Sequence, residues 1–400
     1  MDQLKLLMVA ALVLFGTGMQ LKAQNVTIPD ANFKAQLVAN SAINTNGDTE
    51  IQLTEAQAYN GGIDVNSKNI ADLTGIEAFT ALTSLLCNFN QLTTLNVSSN
   101  TALTSLGCSS NQLTTLNLGS NTALNELSCS SNQLTALDVS SNVGLRILDC
   151  SFNQLSALNL SNNSLLNDLR CGSNQLTALD LSSNPLLTIL WCYENQLPSL
   201  TLSAHTALTN LNCRNNQLTT LDLSTNTGIT ELKCGANLLT ALDVSLNTSL
   251  YWFYCDSNQL SSLNIQNGNN TNLQFFNTRG NPLLTCIQVD DPTYSGILWG
   301  IDPVSTLSTN CLTNTKAIEQ VLDHVVVYPN PTTQKLTINL GEYKDDIALE
   351  VVNAMGQTVL AKYIVGNQRL ELNLDNIVSG VYYLKLTIKT SATTIKFIKR

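Results

Sequence analysis

Charged residues are scarce in this chain of 400 residues: they make up 12% of it, about half the share usual in globular proteins. The apolar fraction is an ordinary 44%, so the combination of low hydrophobicity and high net charge that disorder requires is not met. Only two histidines are present, which leaves little material for acid–base or metal chemistry. The net charge of −10 argues against a general nucleic-acid-binding protein.

No uninterrupted apolar run reaches 18 residues, so the sequence predicts no integral membrane protein. A shorter run from Leu6 to Phe15 follows Lys5 and precedes small residues ending at Ala23, which is the layout of a secretory signal peptide. We expect residues 1–23 to be this signal and the mature chain to be exported, as a secreted or outer-surface protein. A buried N-terminal helix is the alternative interpretation.

Nine of the eleven cysteines recur at intervals of 21 residues, within the unit L-T-x-L-x-C-x-x-N-Q-L-T-x-L-D/N-L-S-x-N-T-x. This pattern resembles the leucine-rich repeat, whose period is about 20–29 residues. The unit is internally doubled, so we expect a mainly β solenoid over residues 80–284, with two short strands in each 21-residue coil. Stacked coils would supply the core that one coil cannot form alone. The periodic cysteines are Cys87, Cys108, Cys129, Cys150, Cys171, Cys192, Cys213, Cys234 and Cys255.

The repeat places one inward-facing cysteine in each coil, at the strand spacing of about 4.8 Å. A disulfide needs Cβ atoms about 3.8 Å apart, so we interpret these cysteines as buried thiols that act as small apolar side chains. Zinc is the rival interpretation, although a linear row offers no tetrahedral ligand set. An asparagine three positions after each cysteine is expected to bond backbone groups where the chain turns. Cys286 and Cys311 break the period and are predicted to form a disulfide in a C-terminal cap, residues 285–311.

Residues 24–79 precede the repeat and are predicted to form an N-terminal helical cap. Asp30 to Asn40 has helical spacing with Asp30 as the N-cap, and a loop followed by a second helix comes next. This helix–loop–helix resembles an EF-hand, which implies a possible Ca²⁺ site. Asn at loop position 1 and Thr49 at position 6 depart from that pattern, and a metal-free cap is the alternative. The candidate ligands are Asn44, Asn46, Asp48, Glu50 and Glu55.

The outward residues that flank the inward leucine and cysteine of each coil change character along the chain. They are small or amide-bearing in the first coils, whereas aromatic and charged residues appear in the later ones. Trp, Tyr and Arg are enriched in binding hot spots, so this face is the candidate ligand-binding site. The alternative is that the aromatic residues merely pack beside one another. The candidate residues are Arg170, Trp191, Tyr193, Arg214, Trp252, Tyr254 and Asp256.

Residues 325–400, after a linker at 312–324, have a different pattern of short alternating strands that predicts an Ig-like β-sandwich. Its motifs, Tyr328-Pro329-Asn330-Pro331 and a segment containing Gly380, Tyr382 and Lys385, resemble the type A sorting domain of the type IX secretion system of Bacteroidetes-type bacteria. The resemblance implies that the secretion machinery is a partner and that this tail guides passage through the outer membrane. An ordinary C-terminal binding module is the alternative.

These features favour an exported, non-enzymatic binding or adhesion protein whose ligand is an unknown protein or glycan. A structural surface or matrix protein is a second hypothesis. A secreted hydrolase with its site in the caps is a third, although the sequence offers no catalytic constellation for it.

Overall fold

The computed structural model describes residues 24–294, 298–311, 325–339, 347–364, 369–388 and 391–400. The predicted signal peptide at 1–23 and the predicted linker at 312–324 lie outside these residues. The chain divides into two compact units, one ending at Thr309 and one beginning at Asn310.

The first unit begins with two short helices, α1 (Ala31–Val38) and α2 (Leu53–Ala58). The Asp30 side chain caps α1, as predicted, because Oδ1 accepts a hydrogen bond from the Phe33 N–H at 3.0 Å. Its Oδ2 accepts another from the Ala71 N–H at 2.8 Å. One carboxylate therefore both starts the helix and ties it to the first coil of the solenoid.

A 12-stranded parallel sheet runs along one side of the solenoid, and its strands pair in the order in which they occur. Each strand is three residues long and, in most of them, the central residue is buried while its neighbours are partly exposed. This pattern confirms the predicted inward leucine with outward flanking residues. The strands are β1 (Gly62–Asp64), β2 (Ser84–Leu86), β3 (Ser105–Gly107), β4 (Glu126–Ser128), β5 (Ile147–Asp149), β6 (Asp168–Arg170), β7 (Ile189–Trp191), β8 (Asn210–Asn212), β9 (Glu231–Lys233), β11 (Trp252–Tyr254), β13 (Phe275–Asn277) and β15 (Leu298–Gly300).

The second side of the solenoid forms a regular sheet only in its last coils, which differs from the expected two strands in every coil. In the earlier coils, asparagine side chains bond the carbonyl groups on this side, and the backbone closes local turns such as that from Asn121 N–H to Leu118 O. Among the described residues, a continuous backbone ladder on this side begins at Ala241. Its strands are β10 (Ala241–Asp243), β12 (Ser262–Asn264), β14 (Cys286–Gln288) and β16 (Thr306–Ser308).

The nine periodic cysteines are buried free thiols that belong to the apolar core. Burial raises the pKa of Cys192 to about 12, so the thiol is protonated and a poor nucleophile at neutral pH. The asparagine that follows each cysteine bonds the backbone as expected. Asn132, for example, donates from Nδ2 to Cys129 O at 3.1 Å and to Cys108 O at 3.0 Å, and Oδ1 accepts from Leu113 N–H at 2.9 Å.

A second asparagine ladder follows the other turn of the coil. Asn142 is representative: its Nδ2 donates to Asn121 O at 2.8 Å and to Leu118 O at 3.3 Å. His205 occupies one position of this ladder and is 2% exposed. Its Nε2 lies 3.2 Å from a single carbonyl, that of Leu181.

The segment 285–311 continues the coils, since β14, β15 and β16 extend both sheets. The Asp290 carboxylate accepts hydrogen bonds from two backbone N–H groups, that of Gly268 at 2.9 Å and that of Asn270 at 3.1 Å. Cys286 and Cys311 are the two cysteines that are disulfide-bonded. The Asp290 side chain thus joins this segment to the coil before it.

The second unit contains two antiparallel sheets of three and four strands, which together form the predicted β-sandwich. Its buried core includes Leu336, Val351, Leu384 and Phe397. The strand orders are β17-β18-β21 and β20-β19-β22-β23. The strands are β17 (Val326–Tyr328), β18 (Lys335–Asn339), β19 (Ile347–Asn353), β20 (Thr358–Ile364), β21 (Arg369–Asn373), β22 (Gly380–Ile388) and β23 (Ser391–Lys399).

Candidate ligand-binding face

The outward side chains of the 12-stranded sheet form what we call the strand face. The parallel strands pair in register, so residues 21 positions apart lie side by side on neighbouring strands, as Arg170 and Trp191 do. On β3 and β4 these side chains are small or polar, for example Ser105 and Gly107 on β3. The regular backbone therefore presents a surface whose chemistry is set by the few residues that vary between coils.

The first aromatic cluster, as we define it, comprises the packed rings of Phe152 and Tyr193 and the nearby Trp191 of β7. The Phe152 and Tyr193 ring centroids are 6.1 Å apart in an edge-to-face arrangement, although the residues lie two coils apart. Gly172 in the intervening coil makes this contact possible, because a Cβ there would lie 2.5 Å from Tyr193 Cε1. The absence of a side chain at Gly172 thus allows the Tyr193 ring of the next coil to lie across the Gly172 backbone.

Phe152 was not among the residues singled out from the sequence. It is 50% exposed and has a φ of 54°, a left-handed conformation that costs a bulky residue about 1–2 kcal/mol. Most coils place a smaller residue at the equivalent turn, for example Ser131. The sequence signal was a large apolar residue at a turn position of the repeat, where a small polar one is usual.

An ion pair lies beside the first aromatic cluster. Arg170 donates from Nε to Asp168 Oδ1 at 3.0 Å and from Nη2 to Asp168 Oδ2 at 2.9 Å. Its guanidinium carbon lies 4.5 Å from the centroid of Trp191, which is a cation–π contact. The hydrogen bond with Asp168 raises the pKa of Arg170, and the two bonds to the carboxylate orient the guanidinium over the indole ring.

The second aromatic cluster consists of Tyr251, Trp252 and Phe275. The three ring centroids are 5.5–5.8 Å apart, while Tyr251 and Trp252 remain 46% and 38% exposed. Lys233 Nζ lies 5.8 Å from the Trp252 centroid and 2.5 Å from Glu231 Oε1. The aromatic residues do pack against one another, as the alternative interpretation expected, but their packing leaves ring surface open to solvent.

A third ion pair lies between the clusters and spans three coils. Arg214 donates from Nη1 to Asp256 Oδ1 at 2.9 Å and from Nη2 to Asp256 Oδ2 at 3.0 Å. The pair passes over Gly235, where a Cβ would lie 2.6 Å from Asp256 Oδ1. Tyr254 lies on β11, opposite Lys233 of β9. The seven residues predicted from the sequence therefore lie on one face, though in separate groups rather than in a single pocket.

The predicted calcium loop is closed by its own hydrogen bonds. Glu55 Oε1 accepts from the Thr45 N–H at 2.8 Å and Oε2 from the Gln52 N–H at 3.0 Å, while Asp48 Oδ1 accepts from the Glu50 N–H at 2.7 Å. Desolvation raises the pKa of Glu55, but these hydrogen bonds outweigh it and leave the pKa lowered. The carboxylates thus serve as loop acceptors.

The remaining candidate ligands of that loop are engaged as well. Asn44 Nδ2 donates to Asp48 O at 2.8 Å, Asn46 Nδ2 donates to Gln52 Oε1 at 2.7 Å, and Glu50 pairs with Lys34 at 2.6 Å. Among the described residues, no group of three or more His, Cys, Asp or Glu side chains is placed to hold a metal ion. In the arrangement present, the acceptor oxygens of this donor set bond the loop's own N–H groups.

The sorting motifs form part of the β-sandwich. Asn330 Oδ1 accepts from Ile398 N–H at 3.0 Å and its Nδ2 donates to Lys396 O at 3.1 Å, which joins the first motif to the last strand. Tyr382 stacks on Phe397 with centroids 5.8 Å apart. Tyr328 lies beneath the Arg369 guanidinium, and Lys385 lies 4.0 Å from Glu350. The motifs also contain Pro329, Pro331 and Gly380.

Comparisons with known proteins identify both units. Residues 326–400 match the family model of the secretion system C-terminal sorting domain. Internalin J of Listeria monocytogenes serotype 4b is 38% identical over 81 residues, which are 20% of this chain and 8% of that relative. Neither helix of the described residues is long and apolar enough to cross a bilayer.

Solved structures show the same solenoid. One of them is the functional domain of InlJ from Listeria monocytogenes, which is described as including a cysteine ladder. Its sequence is 26% identical to this one, and the two structures superpose with a TM-score of 0.61 over 94% of this chain and 98% of that chain. The internalin InlF of strain 4b F2365 is 21% identical with a TM-score of 0.52, over 72% and 96%, and its likeness concerns the fold alone. The protein is a leucine-rich-repeat solenoid with a sorting domain that directs export to the cell surface or the medium.

Proposed function

We propose that this protein is a non-enzymatic binding or adhesion protein that acts outside the cell and engages its partner through the later half of the strand face. The observation that carries the proposal is the concentration of exposed aromatic residues and paired charges on β6 to β13. Tyr251 and Trp252 are 46% and 38% exposed, and Trp252 lies near the ion pair of Glu231 and Lys233. Exposed patches of this composition mark interaction sites.

The proposal includes the route of the protein to its site of action. A signal peptide at residues 1–23 would bring the chain to the periplasm, and the sorting domain at 325–400 would engage the type IX machinery. The remaining domain boundaries follow the sequence: cap 24–79, repeat 80–284 and C-terminal cap 285–311. The similarity to internalins supports a binding role for the solenoid.

The test compares the chain from Gln24 onward with Trp191→Ala/Trp252→Ala, each immobilised and exposed to glycan arrays and to protein extracts of its native surroundings. The matched control is Phe89→Ala, which removes a 64% exposed aromatic residue from the turn that follows β2. We expect a retained ligand whose binding is lost in the double variant and kept in the control. Binding that survives the double variant would place the binding surface elsewhere on the chain, whereas no binding at all would favour a structural surface protein.

A further inference from the structure

Both aromatic clusters are built on the same plan. On β6, Asp168 and Arg170 occupy successive outward positions and form an ion pair at 2.9 Å; on β9, Glu231 and Lys233 do the same at 2.5 Å. In each case the next strand of the sheet carries a tryptophan whose ring lies near the cation, at 4.5 Å for the first pair and 5.8 Å for the second. The strand face therefore contains two similar sites.

The two sites are related by translation along the solenoid. Trp191 on β7 and Trp252 on β11 are three strand steps apart, since β8 and β9 lie between them. Strand spacing makes this separation about 14 Å. All the strands are parallel, so both sites face the same way along the axis. The tryptophans differ in detail, because Trp191 stands opposite the base of its pair and Trp252 opposite the acid. A ligand that fits both sites must itself repeat in one direction.

The charges of both sites are already neutralised by their own partners. Asp168 holds Arg170, Glu231 holds Lys233, and Asp256 holds Arg214 between the two sites. A strongly anionic or cationic ligand would have to compete with these short ion pairs. The exposed ring surface of Tyr251 and Trp252, and the amide of Asn212 on the strand beside Trp191, instead suit a neutral ligand with apolar C–H faces and hydroxyl groups.

We infer that the two aromatic clusters are equivalent subsites for one linear, neutral polysaccharide that runs along the solenoid axis. The inference rests on the proposed function and specifies its ligand class. A sugar ring stacks on each cluster, and hydroxyl groups bond the amides and ion pairs between them. A peptide fits less well, because the strands at this site already use their backbone groups in the sheet and leave no edge for a further strand.

The test measures retention of the chain from Gln24 onward in gels that contain neutral polysaccharides (glucomannan, arabinoxylan, laminarin, dextran) or anionic ones (alginate, heparin). Calorimetry then uses oligosaccharides of graded length prepared from the polysaccharide that retains the protein. The variants are Trp191→Ala and Trp252→Ala, with Phe89→Ala as the control. Circular dichroism confirms that each variant is folded.

We expect retention by a neutral polysaccharide that persists in 0.5 M salt, since screening does not weaken uncharged contacts. Each tryptophan variant should bind the polymer at least about tenfold more weakly, because only one subsite remains. Oligosaccharides too short to span both sites should bind the remaining subsite of each tryptophan variant with the affinity seen in wild type but with half the stoichiometry, and Phe89→Ala should bind as wild type does.

Retention by anionic polysaccharides only, retention by no neutral one, or equal binding by both tryptophan variants and wild type would overturn the inference. A protein partner lost in Trp191→Ala/Trp252→Ala, without any neutral glycan binding, would overturn this inference while leaving the proposed function standing. Absence of any partner dependent on these tryptophans would overturn both.

Discussion

Replacing His205 by asparagine is expected to stabilise the solenoid, because it restores the regular second asparagine ladder. At the neighbouring positions, Asn184 and Asn226 each donate two hydrogen bonds from Nδ2 to backbone carbonyls of the preceding coil. His205 reaches only Leu181 O, at 3.2 Å. The carbonyl of Asn184, which asparagine at 205 would reach, receives only a long bond of 3.4 Å from Leu187 N–H.

The size of the effect follows from one additional hydrogen bond. A buried hydrogen bond contributes about 0.5–1.5 kcal/mol net, so we expect His205→Asn to raise the free energy of unfolding by about 1 kcal/mol. Each side chain also leaves one buried polar atom without a hydrogen bond among the described residues, His205 Nδ1 in the histidine and, as Asn184 shows, Oδ1 in a ladder asparagine. The cost of these unbonded atoms is therefore similar before and after the substitution. The ring also borders an open groove beside Pro198, so shortening it leaves no closed void.

Urea unfolding of the chain from Gln24 onward, followed by far-ultraviolet circular dichroism, measures this difference. The matched control is the reverse change, Asn184→His, which should lower the free energy of unfolding by about 1 kcal/mol. If His205→Asn destabilises the solenoid as much as Asn184→His does, the imidazole contributes by packing and the hydrogen-bond argument is wrong.

Three further predictions concern other parts of the molecule. A thiol reagent should label none of the nine ladder cysteines in the folded chain and all nine after denaturation, because burial keeps them protonated; rapid native labelling would contradict their raised pKa values. Gly172→Ala should displace the Tyr193 ring and cost about 1 kcal/mol by crowding, measured by urea unfolding against Gly228→Ala, where the nearest atom lies 3.8 Å away. Desolvation raises the pKa of Asp30, but its backbone hydrogen bonds outweigh that effect and leave the pKa lowered. The ionised carboxylate therefore stabilises the fold above the unfolded pKa of about 3.9, and this stabilisation is lost as the pH falls through the folded pKa. The free energy of unfolding of Asp30→Asn should accordingly depend less on pH between 5 and 2 than that of the wild type.

The repeat could be predicted from the sequence because its period fixes which residues stack. Once Cys129 and Cys150 are 21 residues apart in a coil of constant length, an inward row of thiols and a row of bonded asparagines follow. The second strand of each coil could not be predicted in the same way. Whether a backbone ladder or an asparagine such as Asn121 bonds the carbonyls depends on the geometry of each turn, which the doubled motif does not encode.

The candidate site was only partly predictable for a similar reason. The outward positions of Trp191 and Trp252 follow from strand alternation, whereas the ion pair of Arg214 and Asp256 joins residues 42 positions apart across a glycine. Such a pair depends on side-chain reach over an intervening coil. Glu55 shows a further limit, since its spacing resembles that of a metal ligand and does not predict the hydrogen bonds by which its carboxylate closes the loop.

Hydroxyl-radical footprinting of the chain with its captured partner tests the central claim most directly, because it maps the contact surface on the protein itself. If the later half of the strand face is the binding surface, Trp191, Tyr193 and Trp252 become protected while Phe89 reacts as it does in the free chain. Trp299 serves as an internal reference, since its indole N–H already bonds Leu273 O at 2.8 Å. Protection centred on Phe89, with Trp191 and Trp252 unchanged, would contradict the account.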